Sequence, residues 1–364
     1  MSMTSQTHAL HGYLRRFGVD ALLLNTSETL SSANLRYFTG FTGSDASLLV
    51  TKTQRLLFTD GRYKTQAKQQ AKGFDVLVVR RKLDALARAL KNSGIQRLGV
   101  ESSRISLEFV NALGKRIPQV KIVPLRRSFL EALRMSKTVE ERDMIKTAAH
   151  IASEVCRTVV EAGLRGKPEK EIAAHIEHGF RTRGAEAVAF PTIVASGERS
   201  ALPHAAASDK VIAEGDLVIV DFGCRFDGYH SDETVTCRIG GTPSSEQKRI
   251  HAAVYDAHMR ALEIAAVGRK VREVDRAARE SLDKSGYGKY FMHGLGHGVG
   301  LEIHEPPSLS PRGSGVLVQG AVFTIEPGVY LEGFGGVRLE SLVYLSNDGP
   351  EILSEMPKSL LPVD

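Results

Sequence analysis

HGLGHGVGLEIHE, residues 293–305, gathers three histidines (His293, His297 and His304) and two glutamates (Glu302 and Glu305) around four glycines. Gly294, Gly296, Gly298 and Gly300 recur at every second position, which in an extended segment strips one face of side chains. The expectation is that a substrate or a metal centre lies against that bare face. The alternative is a tight glycine turn with incidental histidines, and only other segments can decide between the two.

Those segments carry carboxylates. Asp221 closes the apolar run Leu217-Val218-Ile219-Val220, and Asp232 follows beyond a turn at Asp227-Gly228. Glu326 ends the run Phe323-Thr324-Ile325, and Glu340 ends Val337-Arg338-Leu339. An unpaired charge buried in such surroundings costs several kcal/mol, so four acids placed this way call for bound cations. Two divalent ions roughly 3.5–4 Å apart, bridged by shared carboxylates, satisfy that demand, with His297 as the nitrogen ligand. The alternative is a set of solvent-facing strand ends.

In order along residues 204–340, the chain has Asp221 in a DFG run, Asp232 in an SD-x-T run, His297 in HGxGHGxG, Glu326 in TIEPG and Glu340 in R-x-E. This ordered set resembles the M24 metallopeptidases, which include aminopeptidase P, prolidase and methionine aminopeptidase. The resemblance implies a pita-bread catalytic domain of α+β class, with Asp221, Asp232, His297, Glu326 and Glu340 as ligands of two divalent ions, Mn²⁺ or Co²⁺ ahead of Zn²⁺. It also implies that His204 stabilises the tetrahedral intermediate at the scissile carbonyl, that His304 and His293 bind substrate, and that Glu326 is the general base and then acid. Arg338 is left with two roles, as partner of a ligand carboxylate or as a fork for the substrate carboxylate. Two positions depart from the family pattern: Val235 stands where arginine is common after SD-x-T, and Ser341 follows Glu340 where aspartate is common. Tyr229 reads as packing and Thr234 as a hydroxyl that orients a ligand carboxylate.

The chain has 364 residues, 42% hydrophobic and 25% charged, enough for two domains with cores of their own. No stretch reaches membrane-span length and the amino terminus lacks a signal-peptide core, so a cytoplasmic location is expected. Cys156, Cys224 and Cys237 are odd in number and widely spaced, which reads as reduced core thiols. Residues 1–133 carry 21 Lys/Arg against 9 Asp/Glu, and residues 134–364 carry 27 against 33, balances of +12 and −6. The longest basic cluster is only Arg80-Arg81-Lys82, so the basic half reads as a solvated surface or a face toward another subunit, with no nucleic-acid partner.

The first half alternates helix and strand: helix at Thr7–Phe17, strand at Ala21–Leu24, a hairpin of Ala46–Thr51 with Arg55–Thr59, then helix Gly61–Lys72, strand Phe74–Val79, helix Leu83–Asn92, strand Leu98–Glu101 and helix Leu107–Arg116. This predicts a mixed α/β domain. His8 and His11 read as a solvated pair. The run Asn34–Ser44 resembles a loop of the creatinase-like amino-terminal domain of prolidases and aminopeptidases P, a domain that methionine aminopeptidases lack. The expected division is residues 1–127 as the creatinase-like domain and 128–364 as the catalytic domain. Within the second half, Thr138 and Glu141 form a capping box for a helix running to about Ala162, Pro168 opens another helix, and Glu246–Ala266 and Val271–Lys284 follow.

These readings converge on a cytosolic dinuclear metallopeptidase, expected as a homodimer, that removes an amino-terminal residue preceding proline from a peptide. Prolidase activity restricted to dipeptides is the nearest alternative. A metal-free binding module on the same fold is a second, and the presence of all five ligand residues argues against it.

Overall fold

Ala46–Thr51 and Arg55–Thr59 pair antiparallel, as their apolar runs and polar break predict. They are β2 and β3 of a six-stranded sheet that also contains β1 (Ala21–Thr26), β4 (Asp75–Val78), β5 (Arg97–Glu101) and β6 (Lys121–Leu125), in the order β4-β3-β2-β1-β5-β6. The computed structural model describes residues 12, 14–125 and 130–364. His8 and His11, most of the helix expected over Thr7–Phe17, and part of the segment joining the halves lie outside them. The chain divides into two compact units, Met1–Arg134 and Met135–Asp364.

In the first unit both faces of the sheet are covered, because alternate strand residues enter separate cores: Leu22, Leu24, Leu48 and Leu57 on one side, Leu23, Leu49, Leu56 and Phe58 on the other. Two expectations need correction here. The run expected as a loop at Asn34–Ser44 begins as the helix Ala33–Thr39, started by the Ser32 hydroxyl accepting from the Leu35 amide and ended by Gly40 at φ 70°. The helix expected at Gly61–Lys72 opens as a 3₁₀ turn capped by Asp60 and is α-helical only over Lys64–Gln70.

The second unit is built twice from one scheme. Helices Val139–Glu161 and Glu169–Thr182 cover a sheet of β8 (Ile193–Ser196), β9 (Leu217–Phe222), β12 (Glu233–Ile239) and β20 (Leu361–Val363), ordered β20-β12-β9-β8. Short strands β7 (Ala187–Val188), β10 (Cys224–Phe226) and β11 (Tyr229–His230) form a sheet beside it. Helices Ser245–Ile264 and Val271–Lys284 cover the second sheet, made of β13 (Gly296–Gly298), β14 (Glu305–Leu309), β15 (Val322–Ile325), β18 (Ser341–Ser346) and β19 (Gly349–Ile352), with β16 (Gly328–Leu331) and β17 (Gly335–Arg338) as a separate pair. The Thr138–Glu141 capping box is present. Pro168 sits one position ahead of its helix as the N-cap, its ψ of 145° being extended. Cys156, Cys224 and Cys237 are free and buried. Among the described residues no helix is long and apolar enough to cross a membrane.

Candidate metal centre and substrate pocket

The period of two along β9 sends Val218, Val220 and Phe222 into the core under the helices and leaves Asp221 on the opposite face. Asp227 at φ 42° and Gly228 at φ 78° make the tight turn between β10 and β11, which returns the chain so that Thr234 on β12 lies opposite Asp221. Asp232 stands just before β12, His297 is the middle residue of β13, Glu326 follows β15, and Glu340 sits between β17 and β18. Five residues from both halves of the unit therefore reach one place.

That place is a pocket of about 830 Å³ lined by Asp221, Asp232, His297, Glu326 and Glu340 together with His204, His293, His304 and Arg338. All five expected metal ligands and all four expected substrate-binding residues are in it. Ligand atoms of Asp232, His297 and Glu340 all lie within 4.8 Å of one another, and His297 Nε2 is 3.5 Å from both Asp232 Oδ2 and Glu326 Oε1. His297 Nδ1 faces its neighbour's carbonyl, Gly298 O, at 3.1 Å. A carbonyl can only accept, so Nδ1 carries the hydrogen and Nε2 presents a lone pair to the carboxylates. Burial and the adjacent His304 push the His297 pKa down to about 4, which keeps the ring neutral, as a ligand must be. The His304 ring packs edge-on against it, centroids 4.3 Å apart.

The carboxylates are held where they disfavour their own charge. Burial, then the nearby Asp221, pushes Glu326 up to about 8 against the pull of Arg338. Asp232 and Glu340 are raised well above the ordinary range by burial and by the other acids. Asp221 Oδ1 is buried with no hydrogen-bond partner among the described residues. An orphaned carboxylate oxygen among three acids that resist ionising together, with one imidazole lone pair beside them, is a donor set that fits divalent cations.

Several supports escaped the sequence reading. Tyr330 joins His293 and Arg338, each at 2.9 Å. Since His293 Nδ1 faces Gly294 O, its Nε2 accepts from the Tyr330 hydroxyl, which in turn accepts from Arg338. Thr324 Oγ1 meets Glu326 Oε1 at 3.3 Å and the His297 amide at 3.1 Å. Thr234 orients Glu340 at 2.7 Å, as expected of it. Glu302 and Glu305, part of the densest stretch of sequence, do not line the pocket; Glu305 is buried in an ion pair with Lys137 at 2.6 Å.

The glycine expectation is partly overturned. Gly294 and Gly296 do line the pocket, but a Cβ on Gly296 would come within 2.0 Å of Thr324 O and one on Gly298 within 2.2 Å of Pro306 O. What approaches the bare backbone at these two positions is the backbone of adjoining strand segments.

Residues 143–347 match Metallopeptidase family M24, and residues 7–136 match the Creatinase/Prolidase N-terminal domain. An Xaa-Pro dipeptidase of Pyrococcus furiosus is 39% identical over 90% of this chain and 92% of its own. Among solved structures, an X-Pro aminopeptidase from Thermotoga maritima superposes with a TM-score of 0.90 at 41% identity, covering 96% of this chain and 99% of that one. An Xaa-Pro dipeptidase from Bacillus anthracis reaches a TM-score of 0.95 at 36% identity, with both chains fully covered.

Proposed function

From the premise that this chain belongs to metallopeptidase family M24, whose membership implies a dinuclear metal site, and that it carries a creatinase-type amino-terminal domain as well as the pita-bread catalytic domain, we propose that it is an Xaa-Pro aminopeptidase. It would hydrolyse the bond between an amino-terminal residue and a following proline, with peptides longer than dipeptides accepted. Asp221, Asp232, His297, Glu326 and Glu340 would hold two divalent ions, and the oxygen-rich set favours Mn²⁺ or Co²⁺ over Zn²⁺. When bound, the ions supply Lewis acidity, bringing the pKa of water toward neutrality. Glu326 takes the nucleophile's proton and delivers it to the proline nitrogen, which must be protonated to leave. His204, exposed in the pocket, donates to the carbonyl oxygen as charge develops there, and His304 and His293 bind substrate. A cytoplasmic homodimer is part of the same reading.

The observation that favours an aminopeptidase is the engagement of Arg338. Its guanidinium donates to Asp221, Thr234, Tyr330 and the Pro203 carbonyl, which supports the first of its two roles, as partner of a ligand carboxylate. The second reading, a dipeptidase, is favoured by the activity named for the Pyrococcus furiosus and Bacillus anthracis relatives. The test is release of the first residue from Xaa-Pro dipeptides and Xaa-Pro-Yaa tripeptides after chelation and re-addition of Mn²⁺, Co²⁺ or Zn²⁺.

A further inference from the structure

His204 lies on a loop, and among the described residues no hydrogen bond of its side chain holds it in the pocket. Its place is set by the backbone of residues 197–208, so whatever fixes that backbone fixes the imidazole. Both ends of the segment converge on one carboxylate, Glu169, which is the first residue of the helix Glu169–Thr182 and is completely buried.

Glu169 Oε2 accepts from Arg199 Nε at 3.0 Å, the Ser208 amide at 3.0 Å and the Ser208 hydroxyl at 2.6 Å. Oε1 accepts from the amide and the hydroxyl of Ser196, both at 2.8 Å. All of these partners are donors and only an ionised carboxylate can accept them all, which holds the Glu169 pKa below the ordinary range despite its burial. The backbone repeats the tie, because the amides of Glu169 and Lys170 donate to the carbonyls of Lys210 and Ser208, each at 3.0 Å. Arg199 then closes the loop on itself by donating to Ala206 O at 2.6 Å, and Arg338 reaches Pro203 O at 3.2 Å beside His204.

We infer that Glu169 is a positioning residue for the reaction, acting through His204: its carboxylate clamps the two ends of the 197–208 loop and sets the imidazole at the scissile carbonyl. This rests on the role proposed above for His204. Glu169 is not a lining residue of the pocket and touches none of the five candidate ligands, so its loss should leave metal binding intact.

The test is a double-mutant cycle on the metal-loaded enzyme, with Glu169→Gln and His204→Ala singly and together. A glutamine turns one acceptor into a donor aimed at donors, so Glu169→Gln is expected to lower kcat by about 10–100-fold, the scale of an ångström-sized misplacement of a catalytic group. Metal content should stay at the parent level and KM should change less than kcat. In the His204→Ala background the same substitution should cost less than about 3-fold, since coupled residues are non-additive. Arg199→Ala, at a side chain that is 32% exposed, repeats the cycle with less risk to folding. Equal losses in both backgrounds, or loss of metal, overturn the inference and leave Glu169 a purely structural anchor. If His204→Ala alone turns over at the parent rate, the role of His204 itself fails and the inference falls with it.

Discussion

Arg338 Nη2 lies 2.6 Å from Asp221 Oδ2, inside a pocket wall where the arginine side chain is only 4% exposed. The guanidinium spends its charge on a carboxylate that is itself proposed to bind metal, and its fork spans Thr234, Tyr330 and the backbone at Pro203. Removing one member of so buried a pair leaves an uncompensated charge, which is costly. The pair thus links the frame of the metal centre to the backbone that carries His204.

Asp232→Asn should lose at least one equivalent of metal by elemental analysis, and its activity should fall more than about 100-fold, beyond the effect of losing a group that only orients a ligand. The metal-free variant should also unfold at a higher temperature than the metal-free parent. Asp232 is raised by burial and by repulsion from Glu340, Asp221 and Glu326, so its ionised form opposes folding at neutral pH when no cation is present. Full metal content with normal turnover would refute the assignment.

Three of the candidate ligands, Asp221, Glu326 and Glu340, were legible because each ends an apolar run, a local feature that one segment displays by itself, and Asp232 and His297 through the short motifs SD-x-T and HGxGHGxG. Other supports were not, because they join residues far apart in sequence: Tyr330 to His293, Thr324 to His297, Lys137 to Glu305. No period within one strand announces such a partner. The glycine stretch misled for the same reason, since its bare face could be seen but not the neighbouring chain that fills it. The Ala33–Thr39 helix was within reach, with Ser32 and Gly40 as its start and stop signals.

Gly298→Ala should be poorly tolerated and Gly294→Ala much better. A Cβ at 298 would meet the backbone at Pro306 at 2.2 Å, and backbone in a paired strand cannot yield cheaply; at 294 the closest approach is 3.1 Å, which a shift of tenths of an ångström relieves. Thermal unfolding of the two variants measures the contrast. Equal melting temperatures would show that β13 is freer than its pairing with β14 and β15 indicates.

Burial, reinforced by the charge of Lys358, pushes the His258 pKa down to about 3. The unfolded chain therefore binds a proton that the folded chain refuses, and this contribution to stability is complete above about pH 6.5 and declines as pH falls toward 3. Between pH 7.5 and pH 5 the loss is about 2 kcal/mol for an imidazole with an unfolded pKa near 6.5. His258→Gln, which keeps a polar group facing the Ser341 hydroxyl, should lose correspondingly less over the same interval in urea unfolding. If the variant and the parent weaken by the same amount, the acid sensitivity lies elsewhere.

A dipeptide brings a free proline carboxylate into the pocket, and its desolvation must be offset by a cation. Among the described residues the pocket is lined by one arginine and one lysine. Arg338 is engaged, and Lys170 pairs with Asp209 where both side chains are mostly exposed, so screening leaves that contact weak. With no buried cation to meet a carboxylate directly after proline, Xaa-Pro-Yaa tripeptides should be cleaved with a kcat/KM at least equal to that of matched dipeptides. Arg338→Lys, which keeps the charge but loses the fork, should lower kcat for both substrates without selectively raising the dipeptide KM, because the loss falls on Asp221, Tyr330 and the loop at Pro203. Intact tripeptides beside cleaved dipeptides, with a dipeptide KM that climbs in the Arg338 variant, would instead place the substrate carboxylate on this guanidinium and make the enzyme a dipeptidase.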